Sequence, residues 1–543
     1  MKVNLILLSI NPTKLQWVLG SVYYAAGDPK EISKILKAER HDRSVDYWLI
    51  WDEQLGNPDV NMVMETTLKP GDVWHAGLNL GMRGEPEILK FVSPDWPLII
   101  DADSEVETSS WRLSLRCCLM KAEVLRQMGG PSELFDTLEM ASLELGYRYI
   151  NNGVFTRNIP GLTAQTSIDK VIIPMQDQFK FLSLYYPKQW RYWSLIRAFL
   201  KGRIKSLDEL LSISTIIRKT QLFDSDYYHH PLPEETIKCD PNAAVSVLIP
   251  TLSRYYYLNE LIAQLEAQTI KPKEIIVVDQ TPADQRQKIT STDSKINLKV
   301  IYMDQPGQCS ARNLGLTSSN GDYILFLDDD TKIPDNLIEL HLENLLRFRT
   351  NISCGTVDDL TARKFLRDFS FFKISPVFST CNALVQTQVL SKTGLFDQAL
   401  DRKSNEDGEL FNRMYLQGEL MVLSPNAIII HYHALSGGLR VHGQRKITYA
   451  SSRRSLFERR LPNDGEVYIL KRYYDQDCID ESYLLSILGT FSIRGNLLKK
   501  VAKIIISLFL LPDTIKKLTS AKKQAEWLLG EGNPDIPPFI RRA

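Results

Sequence analysis

With 543 residues the chain is too long for one ordinary core and predicts about three to four domains. Lys and Arg together number 65, as do Asp and Glu, so the formal net charge is zero, which excludes a protein whose main partner is bulk nucleic acid. A composition 44% hydrophobic and 24% charged belongs to a globular chain, neither disordered nor membrane-embedded.

In chain order, Met1-Lys2 and VNLILLSI resemble a leader only superficially. The apolar stretch is short, and Asn11-Pro12-Thr13-Lys14 stands where a cleavage site would be. The run predicts a first buried strand. Residues 1–170 then mix apolar runs such as VDYWLIWD with helical patterns, among them Lys121 to Met128, ended by Gly129-Gly130. Residues 171–243 turn helical and aromatic and loosen around Pro231, Pro233 and Pro241, which predicts a connector and linker. Residues 244–444 alternate strand-like and helical runs: VSVLIPT, Leu258 to Gln268, EIIVVD, LKVIYMD, a helix after Gln308, and DYILFLDDD. That alternation predicts an α/β fold with a parallel sheet.

Residues 445–543 read as helical and basic. Between Arg494 and Lys523 stand Arg494, Lys499, Lys500, Lys503, Lys516, Lys517, Lys522 and Lys523 against Asp513, a local charge of +7. Leu497, Leu498, Val501, Ile504, Ile505, Leu508, Phe509 and Leu511 interleave with them. A basic amphipathic helix suits peripheral contact with the inner face of an anionic membrane. A helix packed on the preceding domain with solvated lysines accounts for the same pattern. The most apolar run, Ile504 to Leu511, falls short of the ~20 residues needed to span a bilayer. The seven cysteines (Cys117, Cys118, Cys239, Cys309, Cys354, Cys381, Cys478) are odd in number and form no CxxC pair, so a reducing, cytoplasmic setting is expected.

Three clusters carry candidate chemistry. Asp328-Asp329-Asp330 closes the apolar run YILFL, at the strand end where open α/β sheets bind ligands. Adjacent carboxylates repel, and a divalent cation bridging a diphosphate would offset that; an acidic surface cap is the bland alternative. Glu406-Asp407 opens a helix with Leu410, Phe411, Met414 and Leu416 on its apolar face. The pair either complements the helix dipole or supplies a general base. His431 and His433 alternate on a strand, which puts both on one side as candidate metal ligands.

Together these stretches resemble family 2 glycosyltransferases of the GT-A fold. VSVLIPTLSR, EIIVVDQT, PGQCSARNLGL, GDYILFLDDD, CNALVQTQVLSKTGLFD, NEDGELFNRMYLQG and PNAIIIHYH follow in the family's order and spacing. The resemblance implies a mixed sheet flanked by helices over 244–444. It implies that Pro250, Thr251 and Arg254 cradle the nucleotide and that Asp279 bonds the base. Gln280-Thr281-Pro282 departs from the family's Asp-Gly-Ser. Gly307, Arg312 and Asn313 would lie near the nucleotide-sugar. Asp328, Asp329 and Asp330 form the DxD segment, with Asp328 and Asp330 on Mn²⁺ or Mg²⁺. His431 completes the metal set, with His433 as its substitute. Asp407 is the matching base, Glu406 the acceptor contact, and Tyr449 with Arg453 a weaker match near the diphosphate.

The implied activity is inverting, metal-dependent, hexosyltransferase-like transfer from a UDP- or dTDP-linked sugar to a glycan or lipid-linked acceptor. It belongs to bacterial cell-surface polysaccharide or glycoconjugate synthesis. A catalytically weak glycan-binding scaffold built from two GT-A copies is the alternative.

An internal repeat supplies the second copy. DYWLIWDEQLGNPD (46–59) aligns with DYILFLDDDTKIPD (322–335), leaving Asp52 and Gln54 where the second stretch has Asp328 and Asp330. LRCCLMKAEVLRQMGGPSELFD (115–136) aligns with FSTCNALVQTQVLSKTGLFD (378–397). Downstream, Glu139 is expected on Glu406 and Met140 on Asp407, which leaves the first copy no base. No VVDQT-like segment is recognisable before Asp52. Asp101 and Asp103 form a second DxD, read as loop residues. Residues 1–170 are thus expected to be a degenerate GT-A-like domain.

Overall fold

A computed structural model of the chain describes residues 1–10, 15–164, 169–219, 226–233, 237–359, 367–434, 449–530 and 536–540. The chain divides into two compact units. One comprises residues 1–234, 371–376 and 415–420, the other residues 235–370, 377–414 and 421–543. The aromatic helices of 171–219 therefore belong with the first unit, and the proline-marked stretch lies at the division.

The first unit runs β1 (Val3–Leu8), β2 (Val22–Ala25), α1 (Pro29–Ala38), β3 (Tyr47–Asp52), α2 (Val60–Thr67), β4 (Val73–His75), β5 (Thr108–Ser109), β6 (Cys117–Lys121), α3 (Ala122–Met128), α4 (Leu138–Asn151), β7 (Thr156–Asn158), α5 (Met175–Tyr185), α6 (Lys188–Leu200) and α7 (Leu207–Lys219). The leader-like VNLILL is wholly buried as β1, since apolar residues on both faces of a strand require cover on both.

The second unit begins with β8 (Val245–Thr251), α8 (Tyr255–Glu266), β9 (Glu274–Asp279), β10 (Asn297–Tyr302), α9 (Gln308–Thr317), β11 (Tyr323–Leu327), β12 (Thr331–Lys332), α10 (Leu337–Phe348) and β13 (Ile352–Asp359). After the first unit's β14 (Lys373–Ile374) come β15 (Asn382–Gln386), α11 (Thr387–Thr393), α12 (Glu406–Leu416) and β16 (Met421–His431). A helical tail follows: α13 (Tyr449–Ser452), α14 (Asp464–Tyr473), α15 (Gln476–Gly489), α16 (Leu497–Phe509) and α17 (Leu511–Gly530).

The second unit is a GT-A mixed α/β domain with strand order β10-β9-β8-β11-β15-β13-β16-β12. β15 runs antiparallel to both neighbours, and β8, β9, β10 and β11 pair in parallel. The sheet is mixed, as the family resemblance implied; strand–helix alternation alone pointed to a parallel one. Val247, Ile249, Val277, Leu325 and Leu327 build the core beneath α8 and α10.

Among the described residues the first unit's order, β2-β1-β3-β6-β4-β7-β5, repeats the other's without a counterpart of β10. β1, β2, β3, β6, β4 and β7 take the places of β8, β9, β11, β15, β13 and β16, with the same parallel and antiparallel pairings. The short β2 therefore stands where β9 does, and the missing VVDQT-like segment is present as VYYA. Its polar edge and tyrosines hid it from a search for an apolar run.

The repeat extends to a buried motif. Arg148 pairs with Glu144 and donates to the carbonyls of Met128 and Gly130; Arg413 pairs with Glu409 and donates to those of Thr393 and Leu395. Tyr185 Oη donates to Glu144 and Tyr473 Oη to Glu409. Matching Glu144 to Glu409 corrects the expected alignment. Ala141 and Ser142, not Glu139 and Met140, fall at Glu406 and Asp407. Ser142 is buried, donates to Leu138 O and accepts from Leu115 N.

Candidate active site

β11 carries the acidic row to the end of the sheet, and the backbone then turns into β12, which pairs antiparallel with β16. In that pairing Thr331 faces His431, so the histidine arrives beside the row. The three carboxylates diverge. Asp328 keeps partial access to solvent, whereas Asp329 and Asp330 are buried.

Asp329 points inward. It accepts from Thr251 Oγ1 at 2.7 Å and from Arg254 Nη1 at 3.0 Å. Arg254 Nη1 also lies 3.2 Å from Asp330 Oδ2, which accepts from the Ala434 amide. Thr251 and Arg254, expected to cradle a nucleotide, thus brace the acidic row from the loop after β8. Burial raises Asp329 to about 6 against the pull of Arg254 and Thr251. Burial would raise Asp330 too, but His431, Arg254 and the Ala434 amide outweigh it and hold the group at about 2. Burial also raises Asp328, against Arg312 and His431.

His431 Nε2 lies 3.1 Å from Asp330 Oδ1 and 3.9 Å from Asp328 Oδ2. Asp328, Asp330 and His431 each offer a ligand atom within 4.8 Å of the others. Two oxygens and one imidazole nitrogen suit Mn²⁺ or Mg²⁺ with open positions. Asp330 Oδ1 is buried and makes no well-directed hydrogen bond, as an atom awaiting a cation would be. His433 does not share the strand face as expected. β16 ends at His431, the chain turns with a positive φ at His433, and the two rings meet edge to face at 4.1 Å. His433 Nδ1 sits 2.9 Å from His431 Nδ1, which leaves Nε2 of His431 facing the aspartates.

Arg312, on α9, ties the acidic row to α12. Its Nη1 donates to Glu406 at 3.1 Å and its Nη2 to Asp328 at 3.3 Å, with the guanidinium over the Phe396 ring. Burial opposes its charge, but Glu406 and Asp328 more than offset that. Asp407 follows Glu406 at the start of α12, half-buried, its Oδ1 accepting from the Gly408 amide.

The remaining expected residues are held by the protein itself. Asp279 ends β9 fully buried, accepting from Tyr255 Oη at 2.7 Å and the Thr281 amide at 2.9 Å. Pro250 and Thr251 pair in register with Val278 and Asp279. Asn313 uses both ends of its amide on the main chain of Phe396. Gly307 donates to Gln280 Oε1, and a Cβ there would lie 2.7 Å from the Asp401 carboxylate. Asp401 is a residue the sequence did not reveal. It caps α9, accepting from the amides of Cys309 and Ser310 and from the Ser310 hydroxyl. An N-cap supplied from so far along the chain leaves no local signature. The side chain of Tyr449 lies outside the described residues; Arg453 O accepts from the Arg494 amide.

In the first unit the equivalent positions are closed. Asp52 pairs with Arg116 at 2.7 Å, and Gln54 accepts from the same guanidinium. Asp101 pairs with buried Arg112, and Asp103 Oδ1 accepts from the Glu105 amide.

The second unit thus presents a mixed sheet, a DxD segment, a nearby histidine and a carboxylate-led helix. Residues 246–392 match the profile of Glycosyl transferase family 2. Glycosyltransferase GlyA of Streptococcus pneumoniae is 25% identical over 217 residues, covering 36% of this chain and 31% of its own length. The chondroitin synthase of Pasteurella multocida is 24% identical over 310 residues, 45% of this chain and 31% of its own. The chain thus spans about a third of these relatives. The crystal structure of Staphylococcus aureus TarS 1-349 with UDP-GlcNAc has a TM-score of 0.32 at 18% identity, over 54% of this chain and 93% of that one.

Proposed function

We propose that the second unit transfers a sugar from a nucleoside diphosphate donor to an acceptor hydroxyl with inversion. The observation that carries this reading is the connection made by Arg312. One buried guanidinium joins the acidic row at Asp328 to the helix that begins Glu406-Asp407. Donor-side and acceptor-side carboxylates are thereby held in one array.

Asp407 takes the proton from the acceptor hydroxyl as that oxygen bonds to the anomeric carbon, and the bond to the nucleoside diphosphate breaks with its electron pair leaving on the phosphate oxygen. Glu406, positioned by Arg312, orients the acceptor. Asp328, Asp330 and His431 would hold Mn²⁺ or Mg²⁺, which supplies charge stabilisation to the departing diphosphate. The family resemblance would set the base near Asp279 and the loop Pro250–Arg254, and favours uridine or thymidine. A glycan acceptor in bacterial polysaccharide synthesis is supported by the match to a chondroitin synthase; a lipid-linked one rests on the family resemblance alone. The first unit, with Ser142 at the place of the base and Asp52 paired to Arg116, performs no transfer of its own.

The test is a screen of nucleotide-sugars with Mn²⁺ for hydrolysis and transfer, run beside Asp330→Ala. Turnover of one donor, lost in the variant and on chelation, is the expected result. Failure of every donor to bind or turn over in a metal-dependent manner would remove the reading.

A further inference from the structure

α16 packs inside out. A surface helix ordinarily buries its apolar stripe and shows its polar residues to water. Here the buried side chains are Lys503 and Ser507. Lys503 Nζ donates to the carbonyls of Ser455 and Glu458 at 2.8 Å each, and Ser507 Oγ donates to Thr490 O at 2.9 Å. Leu497, Leu498, Val501, Ile504, Ile505, Leu508 and Phe509 are all exposed, Leu498 at 79% and Phe509 at 81%. At 100° per residue these seven cover an unbroken arc of about 140°, opposite the Lys503 side. Lys500 borders the arc on one edge; Lys499, on the same helix, and Arg494, just before it, are also exposed.

We propose that this face of α16 lies in the surface of an anionic lipid bilayer, with its apolar arc among the acyl chains and its basic rim on the headgroups. Helix length agrees. Thirteen residues make about 20 Å, too short to cross but ample to lie in the plane. Among the described residues no helix is long and apolar enough to cross a membrane. The charge argues for lipid over a protein partner. The arc is bordered by Lys500; Arg494 and Lys499 are exposed nearby in the chain, and the following helix adds exposed Lys516, Lys517 and Lys523, with Asp513 drawn into pairs with Arg459 and Lys517. An anionic surface complements that rim. The unusual polarity of the packed side also has a purpose on this reading: the two main-chain partners of Lys503 fix the rotation of the helix, so that the apolar arc faces outward.

The inference does not depend on the transfer reading, because its test reads lipid binding alone. Full-length protein is floated with vesicles of phosphatidylcholine alone and of phosphatidylcholine with phosphatidylglycerol, at low and high salt. Flotation with the anionic vesicles, weakened by salt, is expected. Leu508→Ser/Phe509→Ser should reduce partitioning by at least about tenfold, and Lys499→Glu/Lys500→Glu should abolish the preference for anionic lipid. All four positions are exposed, so unchanged circular dichroism and melting should accompany the loss. Absence of flotation, or flotation indifferent to the Leu508/Phe509 variant, overturns the proposal. So does sedimentation showing self-association that the same variant abolishes without any vesicle binding, which would make the arc a contact between copies.

Discussion

Arg312 and Glu406, distant in sequence, lie 3.1 Å apart in the heart of the second unit. The same guanidinium reaches Asp328, so the residue joins two halves of the site that no motif connects. Arg312→Ala should leave both carboxylates without their shared cation. A fall in kcat/KM of roughly 100-fold or more is expected, with destabilisation of about 2–4 kcal/mol by urea melting. Arg312→Lys restores charge but not the two-pronged geometry, so it should recover stability more than activity. Equal recovery of both would argue that charge alone matters there.

Asp407 is the base in the proposed transfer, and its Oδ1 accepts from the Gly408 amide. Asp407→Asn should lower kcat by ~10²–10⁴-fold while donor affinity, measured by calorimetry with a non-hydrolysed donor analogue, changes little. A comparable loss of donor affinity would move Asp407 to the donor side and vacate its role.

Mn²⁺ should raise the melting temperature of the wild type by roughly 2–4 °C at saturating concentration, because it binds only the folded array. Asp330→Asn removes the most deeply buried ligand and should abolish that rise. A rise that survives would put the cation elsewhere.

The second unit was legible where a strand is an apolar run ending in a recognisable polar signal. EIIVVD and YILFLDDD need no tertiary information to be read as buried strands with acidic ends. What was not legible depended on partners distant in sequence. Asp401 capping α9, Asn313 closing on Phe396, and the outward turn of the apolar arc of α16 are decided by which surface each element meets. The two-residue slip in the internal alignment has a similar cause. Matching acidic to acidic residues put Glu139 on Glu406, whereas the buried Glu144–Arg148 pair, the true constraint, aligns on Glu409–Arg413.

His341 gives stability a pH dependence. It is wholly buried between Ser353 Oγ and Asn382 Oδ1, and burial lowers it to about 4. An unfolded chain takes up that proton near 6.5, so the native state is fully favoured above that pH. As pH falls from about 6.5 towards 4, the unfolded state binds the proton first and up to about 3 kcal/mol is lost. Below about 4 the folded protein protonates too and the loss stops growing. Urea midpoints from pH 7.5 to 4 check this, and His341→Gln should flatten the slope. A midpoint that rose on acidification would contradict the assignment.

The duplicated Glu–Arg–Tyr motif permits a paired comparison. Glu409 and Glu144 are both buried, each held by an arginine and a tyrosine hydroxyl. Removing either charge leaves a guanidinium with incomplete compensation, so Glu409→Gln and Glu144→Gln should each cost about 3–5 kcal/mol in their own unit. Their functional effects should differ. α12 carries Asp407 at its start, so loosening the Glu409 brace should lower kcat well below the melting temperature. α4 carries Ser142 at that place, so Glu144→Gln should leave donor hydrolysis within about twofold while lowering a melting transition. Calorimetry and donor hydrolysis at 20 °C and 35 °C distinguish the two. If both variants lost activity alike, the first unit would be coupled to the reaction and its degenerate site would no longer explain its role.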